Sequence, residues 1–94
     1  MDKLELFNAI VKQARPASTD EVKANSLEDT FADVGLDSLD VIMVCIYFAE
    51  VYGVPEEVAK ELQPQNVREC FELYQAHATK NPETINEAIK NIAF

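Results

Sequence analysis

Histidine, glycine and basic side chains are scarce in this chain, and each shortage removes a class of function. His77 is the only histidine among 94 residues, so a Ser–His–acid triad has one residue to be built on. It stands near the end of an amphipathic segment, where an exposed imidazole suits a helix C-terminus. The two glycines are too few for a glycine-rich phosphate loop, and none frames a serine as a nucleophile elbow requires. Eight Lys and Arg face seventeen Asp and Glu, for a net charge of −9. Nucleic-acid binding needs cations to displace counterions, and anionic membranes attract basic segments, so neither partner fits. A protein partner with a basic patch, or solubility alone, accounts for the excess acid.

Cysteine is also sparse. Cys45 and Cys70 each sit in an apolar helical pattern, match no zinc spacing, and read as reduced core residues. The opening stretch MDKLELF carries acids and no long apolar run, so no signal peptide is expected. The uncharged apolar run at 41–49 is too short to span a bilayer. These features predict a cytoplasmic protein without membrane insertion. A chain of this length buries only about 60–65% of its unfolded surface, enough for one core. There is no internal repeat, no low-complexity tract and no convincing strand pattern.

What is present is helical periodicity. Leu4, Phe7, Ile10, Val11 and Ala14 recur at steps of three and four over residues 2–14, and Pro16 ends that helix. Residues 16–37 hold loop formers, including Ser18, Thr19, Asn25, Ser26 and Gly35. Val22, Leu27, Phe31, Val34 and Leu36 are expected to pin this long connection to the core, with a short helical turn over 26–31 capped by Ser26. A second helix is expected from Ser38 to about Tyr52, with Asp37 as cap, Asp40 completing a capping box, and Gly53 as stop. The stretch EEVAKEL reads as a short third helix. Pro64 is expected at the first position of a fourth helix, whose inward stripe is Val67, Cys70, Phe71 and Tyr74. A last helix is expected with Asn81 as cap and Pro82 at its first position, with Ile85, Ala88, Ile89 and Ile92 on one face. The fold class is therefore all-α: a four-helix bundle with a long loop between its first two helices and an extra C-terminal helix.

Little of this carries chemistry. Asp29, Asp33, Asp37 and Asp40 lack the alternation, central glycine and closing glutamate of a calcium loop. No paired carboxylates come with a cofactor motif that would give them a reaction. Ser38 is the exception. It lies at a helix start, at the end of a long loop, where free amides and the helix dipole favour a phosphate.

The stretch FADVGLDSLDVIMV resembles the signature of acyl carrier proteins, through Phe31, Val34, Gly35, Asp37, Ser38, Leu39 and Asp40. The resemblance covers about residues 2–78 and includes YGVPEEVAKEL, similar to the family's link into its short third helix. It divides the chain into a carrier-like domain, 1–78, and a helical extension, 79–94. It implies that Ser38 carries 4′-phosphopantetheine, delivered from coenzyme A by a phosphopantetheinyl transferase that reads Asp37 and Leu39. It implies a protein that is no enzyme: a monomer that holds acyl groups as thioesters and presents them to acyl-loading and acyl-processing enzymes. Those enzymes would belong to fatty-acid, polyketide or related specialised biosynthesis. The competing expectation is a helical interaction module with the same fold and no prosthetic group.

One feature departs from the family pattern. Val41, Val44, Cys45, Phe48 and Tyr52 share one side of the second helix, a sensible core face. Leu39, Ile42, Met43, Ile46 and Ala49 lie on the other, where the fatty-acid carriers usually place glutamates. Asp40 and Glu50 are the chief acids left. The docking surface is accordingly expected to comprise Asp40, Ile42, Met43, Ile46 and Glu50, an apolar stripe that specialised partners read. Alternatively, the C-terminal helix folds over part of that stripe, or the stripe mediates self-association.

Overall fold

Five of the six helices among the described residues begin on a short polar side chain that accepts the amide three residues on. The computed structural model describes residues 1–15 and 22–92; the expected stop at Pro16 and the loop formers Ser18 and Thr19 lie outside them. Helix α1 spans Lys3–Ala14 from Asp2. Helix α2, Phe31–Val34, starts from Thr30, and α3, Ser38–Val51, from Asp37. Helix α4, Glu56–Ala59, follows Pro55 without a side-chain cap. Helix α5, Val67–Ala76, starts from Asn66, and α6, Ile85–Lys90, from Thr84. The fold is all-α; the extended geometry among the described residues is one isolated bridge between Thr30 and Asn66.

Three helix starts differ from expectation, each for the same reason: a better cap lay further along. Ser26 organises a turn, its hydroxyl accepting from the Glu28 amide, but the helix itself waits for Thr30 and Asp33, which form a reciprocal capping box. Hydrogen bonds from the backbone and hydroxyl of Thr30 hold the Asp33 carboxyl below its usual range. Pro64 does not open α5. Asn66 does, and the free Val67 and Arg68 amides are taken by the carbonyls of Asp29 and Leu27 at 3.0 and 2.8 Å. The start of α5 thereby anchors the long connection. In the last helix Thr84 caps Glu87, whose carboxylate accepts from the Glu83 amide, so Asn81 and Pro82 stay outside.

The core is centred on Phe48, whose ring lies 5.1 Å from Phe71 edge-on, 5.8 Å from Tyr74 and 6.0 Å from Phe7. Leu6, Phe7, Ile10 and Val11 bring α1 to it, Val67, Cys70, Phe71 and Tyr74 bring α5, and Ala88 and Ile92 bring the C-terminal segment. Helix α3 ends in a Schellman arrangement: Gly53, at φ +61°, donates to the Glu50 carbonyl, and Val54 donates to Ala49 at 2.8 Å. Its remaining carbonyls are satisfied from residues 79–91. Tyr52 accepts from the Thr79 and Lys80 amides at 2.8 and 3.0 Å, Gly53 from the Thr79 hydroxyl, and Val51 from Asn91 Nδ2 at 3.0 Å. The C-terminal segment thus completes the end of α3 as well as part of the core.

Burial pushes the Cys70 thiol and the Tyr74 hydroxyl well above their ordinary values, with Cys45 adding to both. The fold holds protons that the unfolded chain releases. Stability is therefore full below the ordinary thiol value of 9.0 and falls as pH rises through it, toward the raised folded values. The loss is about 1.4 kcal/mol per pH unit for each group ionised only in the unfolded state. Urea unfolding at a series of pH values checks this: the midpoint should hold steady around neutrality and drop in alkali, and Cys70→Ala should remove part of the slope.

Candidate functional site

Ser38 is exposed at the first position of α3. Its setting is built by the two aspartates beside it. Asp37 Oδ1 accepts from the Asp40 amide at 2.9 Å, and Asp40 Oδ2 accepts from the Asp37 amide at 3.3 Å. This reciprocal box fixes the loop-to-helix turn and leaves the Ser38 and Leu39 amides in the first turn, which has no intrahelical acceptors for them. Behind the turn, Arg15 at the end of α1 pairs with Asp40 Oδ2. Asp40 is thus a half-buried structural acid, its charge met by Arg15. Before the turn, Gly35 at φ +97° ends α2 with Leu36 donating to Phe31 at 3.0 Å, and buried Leu36 and Val34 hold the loop down. Asp37 and Leu39 flank the serine, both exposed.

One turn along α3 a groove opens, with a volume of about 1060 Å³, at the upper end of the roughly 300–1,000 Å³ typical of ligand sites. Helix α3 forms one side with Val41, Ile42, Cys45, Ile46, Ala49 and Glu50; Ala59, Lys60, Leu62 and Pro64 line it from α4 and the chain after it. Tyr74 reaches it from α5. Burial raises the Cys45 thiol above its ordinary range, which keeps it protonated and a poor nucleophile. Cys45 is half-buried, packed against the core on one side and lining the groove on the other, whereas Cys70 is fully buried; both are free thiols.

The face of α3 opposite its core side divides in two. Leu39, Ile42 and Ile46 are 68%, 55% and 45% exposed and form an apolar stripe running away from Ser38. Met43 and Ala49 are half-buried, Ala49 against the core. Ile42 and Ile46 also line the groove, so stripe and groove share an edge. Helix α6 leaves the stripe open. Its contacts are with α1 and α3, and Asn91 ties it to the far end of α3 at Val51. Glu50, half-buried, faces the groove, and His77 is the exposed C-cap of α5.

Arg15, Thr79, Lys80, Asn91 and Tyr74 belong to this site, and no local motif signals them: each reaches it across 25 or more residues, as Arg15 does to Asp40 and Asn91 does to Val51. No protein-family model, curated protein or solved structure matches the chain. Among the described residues no helix is long and apolar enough to cross a membrane, and no group of three His, Cys, Asp or Glu side chains could hold a metal ion.

Proposed function

We propose that the protein is a carrier of the acyl-carrier type, with 4′-phosphopantetheine on Ser38. The observation that carries this reading is the juxtaposition of an exposed serine at the first position of a capped helix with a largely apolar groove beginning one turn away. A serine that merely begins a helix needs no such groove.

The residues fit the group. The Ser38 hydroxyl is reachable by an external transferase, and the amides at the start of α3 lie where the phosphodiester of the arm would sit, a placement worth about 0.3–1 kcal/mol for an exposed anion. Pairing Asp40 with Arg15 reduces the local repulsion that a phosphate would meet. In the transfer, the serine oxygen would bond to the pantetheine-bearing phosphorus of coenzyme A as the phosphoanhydride bond to the nucleotide half breaks, with the nucleotide leaving and the hydroxyl proton passing to a base of the transferase. When bound, the arm supplies a thiol on which an acyl group is held as a thioester. The chain itself then tethers, shelters and presents. Val41, Cys45, Ala49 and Leu62 offer the apolar wall against which an acyl chain can be kept from water. In this reading α1, α3, α4 and α5 are the four helices of the carrier bundle, α2 lies in its long first loop, and α6 is the addition.

Leu39, Ile42 and Ile46 are proposed as the docking stripe for the transferase and the acyl-processing enzymes, with Met43, Asp40 and Glu50 supporting it from partly buried positions. Ile42→Glu with Ile46→Glu is expected to lower loading and turnover by partner enzymes at least tenfold, because desolvated apolar anchors dominate such interfaces. Thermal stability should change by no more than a few degrees, since both side chains are about half exposed. Turnover that survives the double substitution would remove the stripe from the docking surface.

The same stripe favours one competing reading, an interaction module that carries no arm. Incubation with coenzyme A and a broad-specificity phosphopantetheinyl transferase separates the two. The carrier gains the mass of one arm; the module stays unmodified while a control carrier is converted.

A further inference from the structure

The C-terminal segment builds the far wall of the groove. Thr79, Lys80 and Asn91 line it, and each is fastened to the last turn of α3: Thr79 and Lys80 through the Tyr52 carbonyl, Asn91 through that of Val51. The Lys80 side chain lies directly over Gly53, where Cγ would be 2.9 Å from an added Cβ. The groove therefore starts at Val41, beside the attachment turn, and stops at this wall. Helical rise puts the two ends about 15–17 Å apart.

The two ends differ in chemistry. Along α3 the groove begins at Val41, Ile42, Cys45 and Ile46, whereas the far wall is polar and only part of its hydrogen-bonding capacity is used within the fold. Asn91 gives one amide hydrogen to Val51, which leaves its Oδ1 and second N–H. Thr79 gives its proton to Gly53, and its oxygen can still accept. Lys80 brings an ammonium. The charged side chains that line the groove are Lys60 and Lys80 with Glu50 and Glu56, so the lining carries no net charge that would call for a charged chain end.

From these observations, and resting on the carrier reading, we infer that the groove takes a chain with a hydrocarbon body and a neutral hydroxyl at its far end. Thr79, Lys80 and Asn91 are the residues that select it. The segment that completes the fold at the end of α3 also measures the cargo: a chain too short to cross the groove misses the wall, and a plain alkyl chain of full length gains no hydrogen bond there. Thr79 and Lys80 are exposed and Asn91 half-buried, so the preference is the net gain of the hydrogen bond that the hydroxyl makes.

The test uses the unmodified full-length protein and free S-acyl pantetheines, whose bulky polar head sets the direction of entry. One probe carries a saturated chain long enough to span the groove, the other the same chain with a terminal hydroxyl. Titration followed by amide NMR should give about fivefold tighter binding of the hydroxylated chain, the ratio one neutral hydrogen bond supplies, with shifts at Thr79, Lys80 and Asn91. Lys80→Met keeps the aliphatic stem over Gly53, and Asn91→Ala removes the amide; each should bring the ratio toward one. If Asn91→Ala fails to fold, Lys80→Met decides. Equal affinities, or shifts confined to residues 39–46, overturn the inference. Because the titration needs no transfer to Ser38, a chain that refuses the arm yet prefers the hydroxylated probe defeats the carrier reading alone. A chain that accepts the arm yet shows no preference defeats this inference alone.

Discussion

Ser38→Ala should abolish arm attachment completely while leaving the fold almost unchanged. The attachment needs an accessible hydroxyl at the start of α3, and the nearest alternative nucleophile in the groove is Cys45, whose thiol burial keeps protonated. The structural consequence is small because Ser38 is exposed and α3 is capped by Asp37 and Asp40, not by the serine. A surface change of this kind stays within about 0.5 kcal/mol. The pair of measurements is intact mass after transferase treatment and the urea midpoint. An unmodified protein with a wild-type midpoint is the expected result. A variant that still gains the arm would show that another group accepts it, and a variant that unfolds would make Ser38 a structural residue.

Phe48→Ala should cost about 3–5 kcal/mol, the range for deleting a buried aromatic side chain. Phe48 is fully buried and its ring contacts rings from α1 and α5 as well as Tyr52 at the end of its own helix. No single neighbour can collapse into the space it leaves, because those neighbours are anchored on three different helices. Against a total stability of about 5–15 kcal/mol for a small domain, the loss should lower the urea midpoint sharply. Phe48→Leu keeps most of the volume and should cost much less. Equal losses for the two variants would mean that the aromatic contacts, and not the cavity, set the energy. A negligible loss for alanine would place the core elsewhere. The groove wall and the Phe48 ring share α3, so the alanine variant should also loosen the groove.

Much of this could be read from the chain because the signals are local. The apolar periods of α1 and α5, the Asp37–Asp40 box and the two glycines that end α2 and α3 each act within a few residues. The core face of α3 was legible for the same reason, through Val44, Phe48 and Tyr52. The helix starts at Thr30, Asn66 and Thr84 were misplaced because several capping residues lay close together. For α5 the decision is tertiary: the amides at its start are taken by the carbonyls of Asp29 and Leu27, 38 and 41 residues earlier in the chain. The candidate site divides the same way. Ser38 and its flanking residues form a contiguous motif, whereas Arg15, Tyr74, Thr79, Lys80 and Asn91 join it only when the chain is packed. Asp40 reads locally as a docking acid, yet Arg15 meets its charge. The covering of the stripe by α6 was equally open in sequence, since an amphipathic helix says which face it buries but not against what. In the structure that face is spent on α1 and the end of α3, and Leu39, Ile42 and Ile46 remain exposed.

The central claim is that Ser38 is an attachment point, and fragment mass mapping tests it most directly. The full-length protein is treated with coenzyme A and a broad-specificity transferase, digested, and its peptides sequenced by mass spectrometry. The account predicts a single phosphopantetheine, on the peptide holding Asp37, Ser38 and Leu39, at the serine itself. An unmodified Ser38, under conditions that convert a control carrier, would contradict it.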